Sequence, residues 1–412
     1  MAKASASGVL NGVSVYKRLG VKTIINAAGP ATRLGGTLMD AEVLAALNEA
    51  AGAFVKMDEL QEAAGRIIAQ ITGAESGYVT SGAAAALALG TAACMTGTDP
   101  VKINQLPDSR GMKNKVVIQR AHRYDYDHAI TSVGAVLVEV GFPDLTFPYE
   151  LDAAITDDTA AVAYYPVRSR PALPLDTVVT IAHRRGVPVI VDAALDVPPA
   201  ANLRLFVQRG ADLVAFSGGK AVRGPQASGF LCGRADLIRA VALHNLDMDV
   251  RPETWTFRAW ADSAGIPGPP HHGVGRSMKV GKEEIVGLVV ALERYVRADH
   301  AATRADWTAK LTAVRNEIVG VEGLRATIVE HPGTGMAVPH ALVELDEQRL
   351  GLTAYDLLNR LQEWDPPIYL GEELAWRGAV TINPMTLRGG DETVIARAVS
   401  RIVSGTRSER DA

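Results

Sequence analysis

Six short apolar runs punctuate the middle of the chain: VVIQ (116–119), AVLVEV (135–140), AAVAYYPV (160–167), VPVIVDA (187–193), DLVAF (212–216) and SGFLCG (228–233). Apolar residues fill consecutive positions rather than alternate ones, which marks strands covered on both faces. The segments between them, such as Leu175–Arg185 and Asn202–Arg209, are helix-compatible. Upstream, a strand-like Tyr78-Val79-Thr80 runs into Ser81-Gly82 and then AAAALALGTAA, a run of high helix propensity. Strands alternating with helices in this way predict an α/β domain built on a mostly parallel sheet.

The flanks read differently. KTIINAAG is a short apolar segment followed by a bend at Gly35-Gly36. From Asp40 to Ile71 the periodicity is helical, with Leu44, Leu47 and Ala51 on one face and Asp40 placed as N-cap. Residues 251–277 are rich in proline and glycine, a second helical stretch runs from about Lys282 to Ile318, and ALVELD, GAVTIN and the periodic segment 392–403 predict a small C-terminal α/β domain. The expected division is an N-terminal segment 1–60 whose first dozen residues are loose, a large domain 61–275, and a linking helix with the small domain 276–412. No internal repeat is apparent.

Composition narrows the partners. In 412 residues, 48% are hydrophobic and 21% charged, so a sizeable core is possible without disulfides. The formal net charge of −4 offers no general attraction to nucleic acid or an anionic membrane. Cys94 and Cys232 are isolated in apolar surroundings and read as reduced core residues. The first residues lack the apolar core of a secretory signal, and no apolar run approaches the ~20 residues that span a bilayer. The cytoplasm is the expected compartment.

The stretch DLVAFSGGKAVRGPQASG (212–229) carries the chemistry. It presents Lys220 after Ser217-Gly218-Gly219, between two apolar runs. A P-loop does not fit, because Val214 stands where its first glycine belongs. Asp192 ends the preceding apolar run, where a carboxylate is costly without a partner. A lysine and an aspartate at successive strand ends match the needs of pyridoxal phosphate (PLP): an amine for its aldehyde and a carboxylate to keep its ring nitrogen protonated. Ser81, Gly82 and Ala83 open the Ala-rich helix, where free N–H groups suit a phosphate, and Ser217 could add a hydroxyl. Ala194 is small enough to lie against the cofactor face. His122, in QRAHRYDYDHA, is the candidate to stack on the ring. A rival metal site from His122, Asp125, Asp127 and His128 is weaker, since such spacing on a polar loop usually means only solvation, and His271-His272 reads as loop. Arg33, Arg168, Arg276 and Arg388 are candidates to grip an anionic group of the substrate.

Together, INAAGPATRLGG, AESGYVTSGAAAALAL, VPVIVDAALDVPP, GADLVAFSGGKAVRGPQASGFLCGR and GRSMKVGKEEIVGL resemble fold-type I PLP enzymes. More narrowly, they resemble the selenocysteine synthase (L-seryl-tRNA selenium transferase) family, and within it the tRNA-independent group of D-glucosaminate-6-phosphate ammonia-lyase. The resemblance implies that Lys220 is the lysine bonded to PLP and Asp192 the ring-nitrogen partner. It places Ser81, Gly82, Ala83 and Ser217 on the phosphate and Arg276 in a segment that holds anions. It also implies a homodimer or higher assembly with shared sites, Gly224-Pro225-Gln226 facing a neighbour. INAAG begins near residue 25, leaving little N-terminal extension for tRNA, so a small free substrate is favoured over nucleic acid.

The expected activity is a lyase reaction on a small amino acid or amino-sugar acid. Lys220 moves the α-proton, a β-leaving group departs, and keto acid and ammonia result. Racemisation, aldol cleavage and transamination start from the same bound state. A non-catalytic binding protein and a tRNA-dependent selenium transferase are the readings from other classes.

Overall fold

A computed structural model describes residues 14–166, 172–330 and 336–410. The chain divides into two compact units. One is formed chiefly by Gly35–Ala298, the other by the N-terminal stretch to Leu34 with the chain from Asp299 onward.

The larger unit holds a seven-stranded sheet: β1 (Ser76–Thr80), β2 (Lys115–Gln119), β3 (Val136–Val140), β4 (Thr159–Tyr164), β5 (Val189–Asp192), β6 (Leu213–Ser217) and β7 (Gly229–Gly233). Their spatial order is β1-β7-β6-β5-β4-β2-β3. The pairs β2–β3, β2–β4, β4–β5 and β5–β6 are parallel, while β7 runs against both β6 and β1. The consecutive apolar positions have the expected cause in β5 and β7, which are buried at every residue. β3 departs from that pattern: it is an edge strand, Val136 is exposed, and Glu139 pairs with Arg120 and Arg123.

Helix α1 (Ala41–Ala51) and helix α2 (Met57–Thr72) occupy the stretch expected to be one helix. The break falls at Gly52 and an exposed run through Phe54 and Val55. Asp40 stands at the N-cap position of α1 without capping it, because its carboxylate is taken by Arg223 and Arg294. Helix α3 (Ala83–Thr96) is apolar around its whole circumference, as a helix enclosed on all sides must be. Its small residues let it lie close to the sheet; a Cβ at Gly90 would stand 3.3 Å from Leu213 Cδ1.

The 282–318 stretch is likewise two helices, α4 (Lys282–Arg297) and α5 (His300–Ile318). Asp299 separates them and caps α5, its Oδ1 accepting the Ala302 N–H at 2.9 Å. The smaller unit carries an antiparallel sheet of β8 (Leu324–Glu330), β9 (Pro339–Leu345) and β10 (Ala379–Ile382), ordered β10-β9-β8, with α5 packed against the final helix, α6 (Asp391–Arg410).

The units part at 34/35 and 298/299, where the composition reading places breaks near 60 and 275. Two long-range contacts account for the difference. Residues Ile25–Ala27 pair in parallel with Ile368–Leu370, tying the N-terminal stretch to the smaller unit. Helices α1 and α4 pack on each other, which keeps both in the larger one. Among the described residues, no helix is long and apolar enough to cross a membrane.

Candidate active site

Parallel strands end on the same side of their sheet, and there the candidate residues collect. β1 leads into Ser81-Gly82, β2 into a 3-10 turn over Arg120–His122, and β4 into Tyr165. β5 ends on Asp192 and β6 on Ser217, three residues before Lys220.

Asp192 is 7% exposed. Its Oδ1 accepts the Ala194 N–H at 2.9 Å, and its Oδ2 accepts the Tyr124 hydroxyl. Burial raises its pKa to about 6, against the opposing pull of the Ala194 N–H and the Lys220 charge. Burial likewise lowers the pKa of Lys220, opposed by Asp192 and Asp196. The pair fits PLP on these grounds. A desolvated carboxylate gains from a cationic N–H donor, and an amine with depressed pKa is more often free to attack an aldehyde.

The Lys220 turn has a structural reason for its glycines that the motif alone conceals. A Cβ at Gly218 would lie 2.2 Å from Ser228 Oγ, and one at Gly219 would lie 2.6 Å from Gln226 Cα. The Gly218 N–H reaches Ser228 O and the Gly224 N–H reaches Gly218 O, each at 2.9 Å. The glycines thus admit the returning chain.

Gly82 is the N-cap of α3, at φ 145°, and no side chain caps the helix. Its first N–H groups, beginning with Ala83, are therefore free of a side-chain cap, as an anion site requires. Ser81 Oγ donates to Met278 O at 3.1 Å, which brings the 274–278 segment beside this helix start. Ser217 closes β6 opposite Gly229.

His122 is 1% exposed. Its Nδ1 accepts the Tyr165 N–H at 3.4 Å, its ring stands edge-on to Tyr164 at 4.7 Å, and burial lowers its pKa to about 4. Tyr124 is the residue sequence reasoning passed over. It lies parallel to Tyr165 at 4.4 Å and donates to Asp192. The available signal was the cluster of tyrosines at 124, 126, 164 and 165, following two strand ends.

The rival metal set does not assemble: His122 is engaged by Tyr165, and Asp127 is paired with Arg123. Among the described residues, three potential metal ligands converge only at Asp247, Asp249 and His272, all exposed. Arg276 pairs with Asp247 at 3.3 Å. Within the smaller unit, Arg33 pairs with Glu372 at 3.2 Å and lies over the Tyr369 ring, while Arg388 is exposed. Arg168 lies outside the described residues. Both cysteines are free, and burial raises the Cys232 thiol to about 12.

The profile of SelA, L-seryl-tRNA selenium transferase, matches residues 24–263. D-glucosaminate-6-phosphate ammonia lyase from Salmonella typhimurium (strain 14028s / SGSC 2262) is 35% identical, over 94% of this chain and 98% of that enzyme. A solved structure of D-glucosaminate-6-phosphate ammonia-lyase superposes with a TM-score of 0.79 at 33% identity, covering 96% of this chain and all of that one. The 5'-C-glycyluridine monooxygenase-decarboxylase of a Streptomyces species is 32% identical, over 93% of this chain and 90% of its own. A structure of SPT with PLP, at 15% identity and a TM-score of 0.54, shares the fold. The chain belongs to the L-seryl-tRNA selenium transferase family, on the fold-type I architecture of PLP-dependent enzymes.

Proposed function

We propose that this protein is a PLP-dependent lyase that releases ammonia from a small free amino acid or amino-sugar acid by α-proton abstraction and β-elimination. One observation carries the reading: a half-buried lysine and a buried carboxylate lie at or just beyond the carboxyl ends of two neighbouring parallel strands, each shifting the other's titration. The extent of likeness to the Salmonella ammonia lyase supports the same reaction class.

PLP, when bound, supplies an electron sink for the charge left at the substrate α-carbon. Lys220 Nζ would hold the coenzyme and, when free, would take up and return the proton at that carbon. Asp192 would accept the ring N–H, and its buried carboxylate would keep that proton in place. The N–H groups at Ser81, Gly82 and Ala83, with the Ser217 hydroxyl, would bind the phosphate. His122 and Ala194 shape the walls beside the ring. The substrate's anionic group is gripped from among Arg33, Arg168, Arg276 and Arg388. The working form is a homodimer or larger homo-oligomer in the cytoplasm, with Gly224-Pro225-Gln226 toward a neighbour, and nucleic acid is not a partner.

The purified protein should show the visible absorption of lysine-bound PLP, and borohydride reduction should fix the label on Lys220. A colourless protein that gains no band with added PLP overturns the reading. Hydroxy-amino acids and amino-sugar acids of both configurations should then yield keto acid and ammonia. Racemised substrate, released aldehyde, or oxygen uptake with CO2 release, as the name of the Streptomyces relative suggests, replaces the lyase assignment.

A further inference from the structure

The turn that presents Lys220 is held from outside by a segment far upstream. Thr37, itself 8% exposed, directs its Oγ1 at two carbonyls, Lys220 O at 2.9 Å and Gly219 O at 3.2 Å. Gly36, at φ 71°, lies so close that a Cβ there would stand 3.0 Å from Gly219 O. On the far side of the turn, the Arg223 N–H closes back on Lys220 O at 2.9 Å.

Arg223 is the only non-glycine among the described residues with positive φ, at 60°. Such a backbone is strained for a residue with a Cβ, and it persists where the surroundings impose it. Here its side chain supplies the constraint. Nε donates to Leu38 O at 2.9 Å, and a terminal nitrogen lies 3.4 Å from Asp40 Oδ1. Arg294 from α4 holds the other oxygen of Asp40, so the carboxylate is fixed in its turn. One short segment, 36–40, thus grips the lysine turn on both sides of the reacting residue.

We infer that Thr37 and Arg223 are positioning residues for Lys220: with Asp40 they lock the 218–224 turn so that the ε-amine stays in the buried strand-end site. The inference rests on Lys220 being the PLP-bonded lysine. A loosened turn would let the amine spend time in water, where it is more readily protonated. Capture of PLP, which needs the free amine, would then require higher pH.

The test uses full-length protein stripped of PLP and followed by its visible band on readdition. Thr37→Val keeps the shape and removes both bonds to the turn. Arg223→Gly relieves the backbone and removes the clamp, whereas Arg223→Lys keeps one donor. We expect Thr37→Val and Arg223→Gly to bind PLP about tenfold more weakly, as loss of such bonds allows. The midpoint of their capture-rate profile should move to higher pH, and Arg223→Lys should restore part of both effects. Circular dichroism and thermal melts establish that the variants are folded. Folded variants with wild-type affinity and pH midpoint overturn the clamp. So does an Arg223→Gly protein that equals or exceeds wild type, because relief of φ would then be all that matters. Lys220→Ala separates the two ideas: if it keeps the band, the lysine assignment itself fails.

Discussion

At Asp192 the charge works against the fold until a cation arrives. Its pKa is raised from 3.8 to about 6, so the folded, coenzyme-free protein holds this proton more tightly than the unfolded chain does. Its contribution to stability therefore falls as pH rises between about 4 and 6, and the full penalty is present above 6. The shift corresponds to at most roughly 3 kcal/mol. Coenzyme-free Asp192→Asn should accordingly be more stable than wild type at pH 7 and indistinguishable from it below pH 4, measured by denaturant melts across pH. With PLP bound the order reverses in function, since asparagine cannot keep the ring nitrogen protonated. A loss of turnover of about a hundredfold or more is expected in steady-state kinetics. Retained turnover would remove Asp192 from its assigned place.

At the scale of elements, the close crossing of α2 over β1 depends on two facing glycines. A Cβ at Gly65 would come 2.3 Å from Gly77 O, and one at Gly77 would come 2.5 Å from Ile68 Cγ2. Gly65→Ala should destabilise the protein by about 1–3 kcal/mol through overpacking, although alanine is the better helix former by about 1 kcal/mol. Chemical denaturation with an unchanged slope is the check; a stabilised variant would mean that the helix lifts away freely. Because β1 leads directly into Ser81-Gly82, the same variant should also weaken phosphate anchorage, seen as a higher PLP dissociation constant. The elements were largely legible beforehand. Consecutive apolar positions mark β2 and β4 to β7; the exception, β3, leaves Val136 and Glu139 open, and the pairing of Glu139 with Arg120 and Arg123 is not written in its apolar run.

For the whole molecule, coenzyme binding and folding are one equilibrium. A ligand that binds only the native state stabilises it by about 2.7 kcal/mol at a hundredfold excess over its dissociation constant. Adding PLP should therefore raise the melting temperature of wild type in a concentration-dependent way, and clearly less in Lys220→Ala, which retains only the non-covalent contacts. Equal shifts in both proteins would remove the covalent link from the account. The two-unit division belongs to this scale as well. Its limits differ from the breaks near 60 and 275 expected from composition: the N-terminal stretch joins a strand more than 300 residues away, and no local pattern records that pairing.

The chain's own order of residues was enough to establish the α/β class, the lysine after its glycines, the aspartate at a strand end and the small-residue helix start. Each is a local signal, carried by apolar runs or by neighbours within a few positions. Only the tertiary structure could decide that Tyr124 serves Asp192, that His122 is buried edge-on to Tyr164 and accepts the Tyr165 N–H, and that Thr37 and Arg223 hold the lysine turn. Those contacts join residues tens to hundreds of positions apart. Their energy depends on burial and direction, which a linear pattern does not contain.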